Sequence, residues 1–486
     1  MNNPLAKAVV DGSAKTPRAR RIAAAVSMIA VAVLVAGASG FQGTETKEAK
    51  PGAGERLKAA RDAIRAAHAS GDAKAYLARS RELRDFLHES PTSVLQVMSA
   101  EAFAGDQEAA LRSFERFIAM GQADEAVFQG KQFDELRKAE KFGALEAEMR
   151  KNNVPIAKVT ELFRMPETGM IPEDIDFDSR SGQFFVTSVK KGEILAFDKA
   201  GHSRVFARAP HGWPMMALKI DSSHRVLWAT EVALRQFKSV PQADWGTSTI
   251  LIYDIDSGRL VDRIAAPKMT LGDMAVTRDG DAIVSDNEGG GVYRVNRKTR
   301  AMERLDEGDF VSPQTAVMSP DNLHLFVPDY TRGIGILDLT TKQVAWLASK
   351  SRHALSGIDG LYLNGRTLIA TQNGTSPERV VRFELDESLS RVESESIIER
   401  ATATLGDPTH GVIVDGSFYY IANSGWDAIE DDGSSKAGAV PSRTLVMEYK
   451  GIGNRSPSLP VRRAFAVFSC SHVPVPPFLQ PGRTIA

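Results

Sequence analysis

The sequence predicts a multi-domain protein in which a small all-α helical-repeat region precedes an all-β six-bladed β-propeller. Two observations support this: a 34-residue period in the first third of the chain, and a strand–turn–strand unit that then occurs six times. The chain has 486 residues, of which 43% are hydrophobic and 25% charged. That length is enough for two or three domains with a large core.

Charge and cysteine content exclude several classes of protein. The formal net charge is -1 and there is no long basic run, so nucleic acid is not expected as a partner. Cys470 is the only cysteine. The chain therefore has no intramolecular disulfide framework and no cysteine-based zinc site.

Residues 1–40 are predicted to be a signal peptide. Five basic residues precede an apolar run of 16 residues from Ile22 to Gly37, and Ala36-Gly37-Ala38 supplies small residues for cleavage. The run is short for a membrane span. We therefore expect a periplasmic or secreted protein with no membrane span after cleavage, and an uncleaved N-terminal anchor is the alternative. Residues 41–55 are predicted to be a polar linker.

Residues 56–153 carry a helical repeat. Gly71-Asp72 lies between two apolar-periodic helices and returns as Gly105-Asp106, 34 residues later. This pattern resembles tetratricopeptide repeats, with a degenerate third unit over residues 133–152. The resemblance implies an adaptor that binds a protein partner, whereas a plain helical stack without a groove is the alternative. Three units are near the minimum for a stable solenoid, so we expect packing against the next domain.

Residues 158–450 carry the repeated β unit. Its first copy, PEDIDFDSRSGQFFVTS from Pro172 to Ser188, shows a strand, a turn at Ser181-Gly182 and a second strand. Equivalent units start at 173, 216, 272, 314, 359 and 410, with spacings of 43, 56, 42, 45 and 51 residues. Six four-stranded units at this period predict six blades. A seven-bladed count is the alternative, because the second unit is long.

Two segments lie outside the six units. KVTELFRM, residues 158–165, precedes the first unit and is predicted to supply the outer strand of the sixth blade, closing the ring. Residues 451–486 contain Pro and Arg without a strand period and are predicted to form a disordered tail.

The first residue of each unit is expected to point into the mouth of the central funnel. These six residues are Glu173, Met216, Gly272, Gln314, Asp359 and His410. Two carboxylates and an amide oxygen suit Ca²⁺, Mg²⁺ or Mn²⁺, and the imidazole tolerates Zn²⁺. The alternative is a polar channel lined by water. Asp174 is expected to brace Glu173 from the side.

The blades resemble those of the gluconolactonase, regucalcin and paraoxonase superfamily. PEDIDF (172–177) resembles its first-blade acidic motif, whose Glu binds the catalytic divalent cation. IDGLYL (358–363) is similar to its fifth-blade motif, whose Asp is a further ligand and a candidate base. The ligands of the third and fourth blades are normally Asn, whereas this sequence has Gly272, followed by Asp273, and Gln314.

The resemblance implies metal-assisted hydrolysis of a small-molecule lactone or ester. Glu173, Gln314 and Asp359 would hold a divalent cation, with Ca²⁺ expected first and Mn²⁺ or Zn²⁺ as alternatives. Asp359 would orient or deprotonate the attacking water, and His410 could donate to the leaving oxygen. Asp273 is expected near the substrate.

Two insertions are predicted on the same face as the ring positions. Residues 232–247 and 426–442 follow the second strands of their blades, and Trp245 and Trp426 are expected to roof the funnel and contact substrate. Ordinary surface loops, with Trp245 as a packing anchor, are the alternative. The alternative function is a non-enzymatic propeller that binds a ligand or protein at the funnel, with the helical repeats holding a partner.

Overall fold

The computed structural model describes residues 50–237, 239–349, 353–430, 432–439 and 442–452. The predicted signal peptide, most of the linker, and almost all of the predicted tail with Cys470 lie outside the described residues. Within the described ranges, no helix combines the length and the apolar character needed to cross a membrane.

From residue 50 onward, where the description begins, five α-helices form the N-terminal region. They are α1 (Ala53–Ala69), α2 (Ala73–Phe86), α3 (Pro91–Phe103), α4 (Gln107–Ala119) and α5 (Glu140–Lys151). Helices α1 to α4 pack consecutively as two hairpins. The region therefore has the predicted helix–turn–helix organisation.

The two Gly-Asp pairs explain where the second helix of each hairpin begins. Gly71 and Gly105 have φ of 73° and 78°, a left-handed conformation that glycine adopts without strain. Asp72 and Asp106 are the N-caps of α2 and α4, and each carboxylate accepts a hydrogen bond from a free backbone N–H of the first turn. The degenerate third unit differs from the first two, because three short 3₁₀ turns precede its single helix, α5.

Twenty-six strands follow in the described part of residues 156–452. Those of the first three blades are β3 (Pro172–Asp178), β4 (Gln183–Ser188), β5 (Glu193–Phe197) and β6 (Ser203–Arg208); β7 (Met215–Asp221), β8 (Val226–Val232), β9 (Ser248–Asp254) and β10 (Leu260–Ala266); and β11 (Leu271–Val276), β12 (Ala282–Asp286), β13 (Gly291–Val295) and β14 (Met302–Arg304). Each set forms one antiparallel four-stranded sheet in sequence order.

The last three blades repeat this order. Their strands are β15 (Val317–Met318), β16 (His324–Asp329), β17 (Gly333–Asp338) and β18 (Val344–Trp346); β20 (Gly360–Asn364), β21 (Thr367–Gln372), β22 (Arg379–Leu385) and β23 (Arg391–Arg400), with β1 (Ile156–Ala157) and β19 (Ala348–Ser349) beside β23; and β24 (Gly411–Val414), β25 (Ser417–Ile421), β26 (Arg443–Tyr449) and β2 (Thr160–Thr168). The structure therefore has six blades, as the repeat predicts.

The ring closes through β2. This strand comes before the first blade in sequence but pairs antiparallel with β26 as the outer strand of the sixth blade. The predicted closing segment, residues 158–165, contributes most of it. Phe163 on β2 also stacks on Phe197 of the first blade, with ring centroids 5.0 Å apart. Closure therefore joins the two ends of the propeller sequence.

The helical region packs on the upper face of the propeller, defined as the face on which the six inner strands begin. It contacts the loops of the fourth and fifth blades: Ala53 N donates to Gly308 O at 2.8 Å, and Arg379 Nη1 donates to Met120 O at 3.4 Å. Val311 and Ala354 of the propeller belong to apolar clusters made mostly of helical residues. The helices thus lie on the same face as the ring positions.

Candidate functional site

The inner strands bring Glu173, Asp359 and His410 together at the propeller axis. All three are buried, and one ligand atom from each lies within 4.8 Å of the others. Oxygen ligands lie 2.3–2.6 Å from Ca²⁺, so two ligands on opposite sides of the ion are about 5 Å apart. The group therefore has the dimensions of a cation site.

His410 crosses the axis and joins opposite blades. Its Nδ1 lies 2.8 Å from the backbone oxygen of Glu173, and its Nε2 lies 2.7 Å from Oδ1 of Asp273. A backbone oxygen only accepts hydrogen bonds, and an ionised carboxylate does the same. Both ring nitrogens therefore donate, and His410 is an imidazolium in this arrangement.

The electrostatics of the axis agree with that assignment. Burial alone would lower the pKa of His410, but the negative charges of Asp174, Asp273 and Asp359 raise the pKa to about 10. Burial would likewise raise the pKa of Asp273, but the charge of His410 and three hydrogen bonds hold that pKa below its usual value. The two residues form an ion pair at the centre of the ring.

Two carboxylates at the axis are held by asparagines that the sequence analysis did not single out. Asn287 Nδ2 donates to Asp273 Oδ2 at 2.7 Å, and Asn373 Nδ2 donates to Asp359 Oδ2 at 2.8 Å. In both blades the asparagine stands 14 residues after the acid, just beyond the second strand. This equal spacing is the signal that could have identified them.

Asp174 braces the first blade against the second. Its carboxylate accepts from Leu218 N at 2.8 Å, and Lys219 Nζ lies 2.6 and 2.7 Å from its two oxygens. Thr187 Oγ1 adds a further link by donating to the backbone oxygen of Met216. The two adjacent acids of PEDIDF therefore have different partners: Glu173 faces the axis and Asp174 ties two blades together.

The ring positions of the third and fourth blades differ in the ligand atoms that they bring to the axis. A Cβ on Gly272 would collide with Oδ1 of Asn287, so this position has no room for a side chain. The next residue, Asp273, instead brings a carboxylate to the axis. Gln314 Nε2 donates to the carbonyl and hydroxyl oxygens of Ser312, both at 3.1 Å, so Oε1 is its remaining ligand atom. Met216 packs in an apolar cluster with Phe237.

The two insertions meet on the upper face. Phe237 of the first contacts Trp426 of the second edge to face at 6.1 Å, and both belong to the cluster that contains Met216. Trp426 Nε1 donates to Glu173 Oε2. Trp245, in contrast, is 42% exposed and donates to Val240 O within its own loop. Of the two tryptophans, Trp426 contacts a ring residue.

The axis is acidic in sum. Four carboxylates, those of Glu173, Asp174, Asp273 and Asp359, lie near two cationic groups, His410 and Lys219. Because His410 uses both nitrogens in hydrogen bonds, the oxygens of Glu173, Asp359 and Gln314 are the better ligands for a hard cation. These residues fit a divalent cation by charge and by ligand type.

Comparisons with known proteins describe the propeller. No protein-family model and no curated protein matched the chain. Among solved structures, a gluconolactonase from Xanthomonas campestris is 15% identical, with 60% of this chain and 89% of that chain covered and a TM-score of 0.41. The Malassezia sympodialis allergen Mala s 1 is 15% identical, with coverage of 62% and 99% and a TM-score of 0.46. A virginiamycin B lyase from Staphylococcus aureus is 15% identical, with coverage of 54% and 80% and a TM-score of 0.39. The strand pairing by itself shows the six-bladed propeller.

Proposed function

We propose that the propeller axis binds a divalent cation and that the protein hydrolyses a small lactone or ester there. The observation that carries the proposal is the meeting of the carboxylates of Glu173 and Asp359, with oxygens within 4.8 Å of each other at a buried point of the axis. Glu173, Gln314 and Asp359 would hold the cation, with Ca²⁺ the first choice for a set of oxygen ligands.

Each side chain has a distinct role in this proposal. A bound cation would polarise the carbonyl oxygen of the substrate. Asp359, oriented by the hydrogen bond from Asn373, would accept the proton of the attacking water and return it to the leaving oxygen. His410 keeps its proton in the pair with Asp273, so it acts through its positive charge on the developing oxyanion rather than by proton donation.

Substrate access is part of the proposal. Glu173 lies beneath Trp426, and the ring residues are buried. A substrate that enters from the upper face would have to displace Trp426 from Glu173. Phe237 and Trp213 belong to the apolar cluster against which Trp426 packs. Apolar side chains at this place favour a lactone or ester with an apolar substituent.

The test measures metal binding and hydrolysis separately. The unaltered protein and the variants Glu173→Gln and Asp359→Asn are titrated calorimetrically with Ca²⁺, Mn²⁺ and Zn²⁺. The same three proteins are assayed for hydrolysis of a panel of lactones and aryl esters. Asp415→Asn is the matched control, because Asp415 lies exposed in a turn of the sixth blade. We expect both ring variants to lose metal binding and turnover, and the control to keep both. Metal binding that survives in the ring variants would contradict the proposal.

A second function is favoured by the closed state of the ring. His410 and Asp273 fill the axis, and Trp426 covers Glu173. A ring closed in this way suits a propeller that binds a ligand or protein on its upper face, with the helical region as an adaptor. Metal binding without hydrolysis of any substrate in the panel would favour this function.

We also propose that the protein is exported, on the strength of the basic and apolar pattern of residues 1–40. N-terminal sequencing of the protein from the periplasmic fraction tests this. We expect a new N-terminus near Ala38. Recovery of the intact N-terminus from the membrane fraction would instead indicate an anchor.

A further inference from the structure

A cavity of about 490 Å³ opens on the lower face, between the second and third blades. Its lining includes His224 from the second blade and Arg278, Arg294, Arg297 and Lys298 from the third. Apart from Arg294 on β13, these residues lie in turns at the end of the blades opposite the ring positions, so the cavity is separate from the axis site. We refer to it as the blade 2–3 cleft.

Cationic groups outnumber acids in this cleft. Four arginine and lysine side chains face two carboxylates, Asp279 and Asp281. Asp281 is buried and binds Arg294, with its Oδ2 2.7 Å from Nε and 2.6 Å from Nη2. The positive charge of Arg278, Arg297 and Lys298 is therefore only partly offset by acids in the lining.

The cleft is built by buried hydrogen bonds. Asp281 Oδ1 accepts from the backbone N–H of Arg297 at 2.8 Å, which fixes the turn that carries Arg297 and Lys298. Asp221, also buried, holds His224 through its backbone N–H at 3.0 Å and its Nδ1 at 2.6 Å. The two acids thus orient cationic or donor groups from two blades before any ligand binds, which lowers the entropic cost of binding.

Gly280 is buried between two lining residues of the cleft, Asp279 and Asp281. Its φ of 84° is left-handed, and a Cβ at this position would collide with Asp221 Oδ2 and approach His224 Nδ1 and Arg297 Cδ to 2.8 Å. The missing side chain therefore lets residues of two blades come together around one point. The cleft beside it, lined by arginines, suits an anion with several acceptor oxygens.

We propose that the blade 2–3 cleft binds a phosphate group. Guanidinium groups match the geometry of phosphate oxygens, and an ammonium group adds a point charge. Arg278, Arg297 and Lys298 would contact the phosphate oxygens, while the remaining volume accommodates the rest of a phosphorylated molecule. The phosphate could belong to a soluble compound or to a lipid headgroup, because both present the same chemistry.

Calorimetric titration with inorganic phosphate at low ionic strength tests the proposal. The protein is compared with the double variant Arg278→Gln/Lys298→Gln, in which two solvent-exposed cations are removed. The control is Lys199→Gln/Arg259→Gln, which removes the same charge from exposed turns of the same face. We expect the first double variant to bind phosphate at least about tenfold more weakly, and the control to bind as the unaltered protein does.

The other outcomes are also decisive. No phosphate binding by the unaltered protein, or equal weakening in both double variants, would overturn the proposal, since the effect would then be absent or one of general charge. Sedimentation with phosphatidylcholine vesicles, with and without phosphatidic acid, distinguishes the two sources. Binding to phosphatidic acid vesicles that only Arg278→Gln/Lys298→Gln loses identifies a lipid headgroup, whereas phosphate binding without vesicle binding identifies a soluble compound.

Discussion

At the propeller axis, acidic residues work in pairs with amides and cations. His410 donates to Asp273 from the opposite side of the ring, and Asn287 and Asn373 each fix one carboxylate. A buried carboxylate without such partners would be costly, because the charge loses its hydration. The arrangement therefore stabilises several acids in a small volume.

Asp273→Asn tests the ion pair that crosses the axis. The substitution keeps the size of the side chain but leaves the buried imidazolium of His410 without its anionic partner. We expect the free energy of unfolding to fall by about 3 kcal/mol, measured by urea denaturation at pH 7. Asp279→Asn, an exposed change in the same blade, serves as the control. Equal stability of the two variants would show that the pair contributes little.

The sequence predicted which residues stand at the axis better than it predicted what they do there. The turn spacing placed Glu173, Asp359 and His410 at equivalent strand starts, because strand period and turn position are local properties. The bond between His410 and Asp273 joins residues 137 positions apart. It depends on how the side chains cross the ring, and no local pattern encodes that.

At the scale of elements, turns on the lower face link neighbouring blades by ion pairs. Asp178, at the end of β3, is buried and binds Arg225 of the second blade, with Oδ1 2.7 Å from Nη1. Arg225 also binds Asp256 in the next turn of that blade. These bonds join the first two blades at the end opposite to the link between Asp174 and Lys219.

This pair gives the protein a predicted acid sensitivity. Burial would raise the pKa of Asp178, but hydrogen bonds from Arg225 and Ser181 and the charge of Arg225 lower the pKa from 3.8 to about 2. A carboxyl whose pKa is lower in the folded state adds stability above pH 3.8 and loses that contribution as the pH falls towards 2. The contribution is about 2 kcal/mol.

The free energy of unfolding is measured by urea denaturation at pH 7 and at pH 2.5, for the unaltered protein and for Asp178→Asn. The difference between the two proteins at each pH gives the contribution of the Asp178 carboxylate. We expect the variant to be less stable at pH 7 and the difference between the two proteins to shrink at pH 2.5. A difference that stays constant with pH would show that the Asp178 carboxylate does not titrate in this range.

The packing of Phe163 stabilises the closing strand β2. Phe163 is buried between the sixth and first blades, where it stacks on Phe197 and meets Phe184 edge to face. We expect Phe163→Ala to lower the free energy of unfolding by about 3–4 kcal/mol, because it leaves a cavity at the closing strand. Hydrogen exchange of β2 and β26 would increase most. Arg164→Ala, on the exposed side of the same strand, is the control and should change stability little.

The closing strand could be predicted from the number of strands. Six four-stranded blades need 24 strands, and one of them had to come from outside the six repeated units. The meeting of the insertions was not predictable in the same way. Both tryptophans looked equivalent in sequence, yet Trp426 reaches Glu173 and Trp245 packs within its own loop. Loop conformation depends on tertiary contacts, such as the packing of Phe237 on Trp426.

For the whole molecule, the helical region and the propeller form one packed unit over the fourth and fifth blades. The sequence predicted that the short solenoid would pack against its neighbour, because three repeats bury little apolar surface alone. It did not predict the upper face as the docking surface, since the residues that determine it are scattered through loops. The consequence is that the helices flank the funnel mouth.

Arg332 links the helical region to the propeller. Its guanidinium lies 4.3 Å from the ring centroid of Phe86 in the helical region and 4.2 Å from that of Trp346 in the propeller. Its Nε donates to the backbone oxygen of Phe86 at 3.1 Å, and His88 stacks on Trp346 at 4.5 Å. A cation between two aromatic faces, largely shielded from water, is worth more than an exposed ion pair.

Arg332→Ala should therefore loosen the helical region without opening the propeller. We expect the free energy of unfolding of the helical region to fall by about 2–4 kcal/mol, because the substitution removes two cation–π contacts and a hydrogen bond to a backbone oxygen. Hydrogen exchange followed by mass spectrometry would then show faster exchange in α1 to α4, with β7 to β10 unchanged. Arg259→Ala, in an exposed turn of the second blade, controls for the loss of an arginine. Faster exchange throughout the propeller would instead mean that Arg332 supports the fourth blade itself. Unchanged exchange in the helices would mean that the apolar contacts of Val311 and Ala354 suffice for docking.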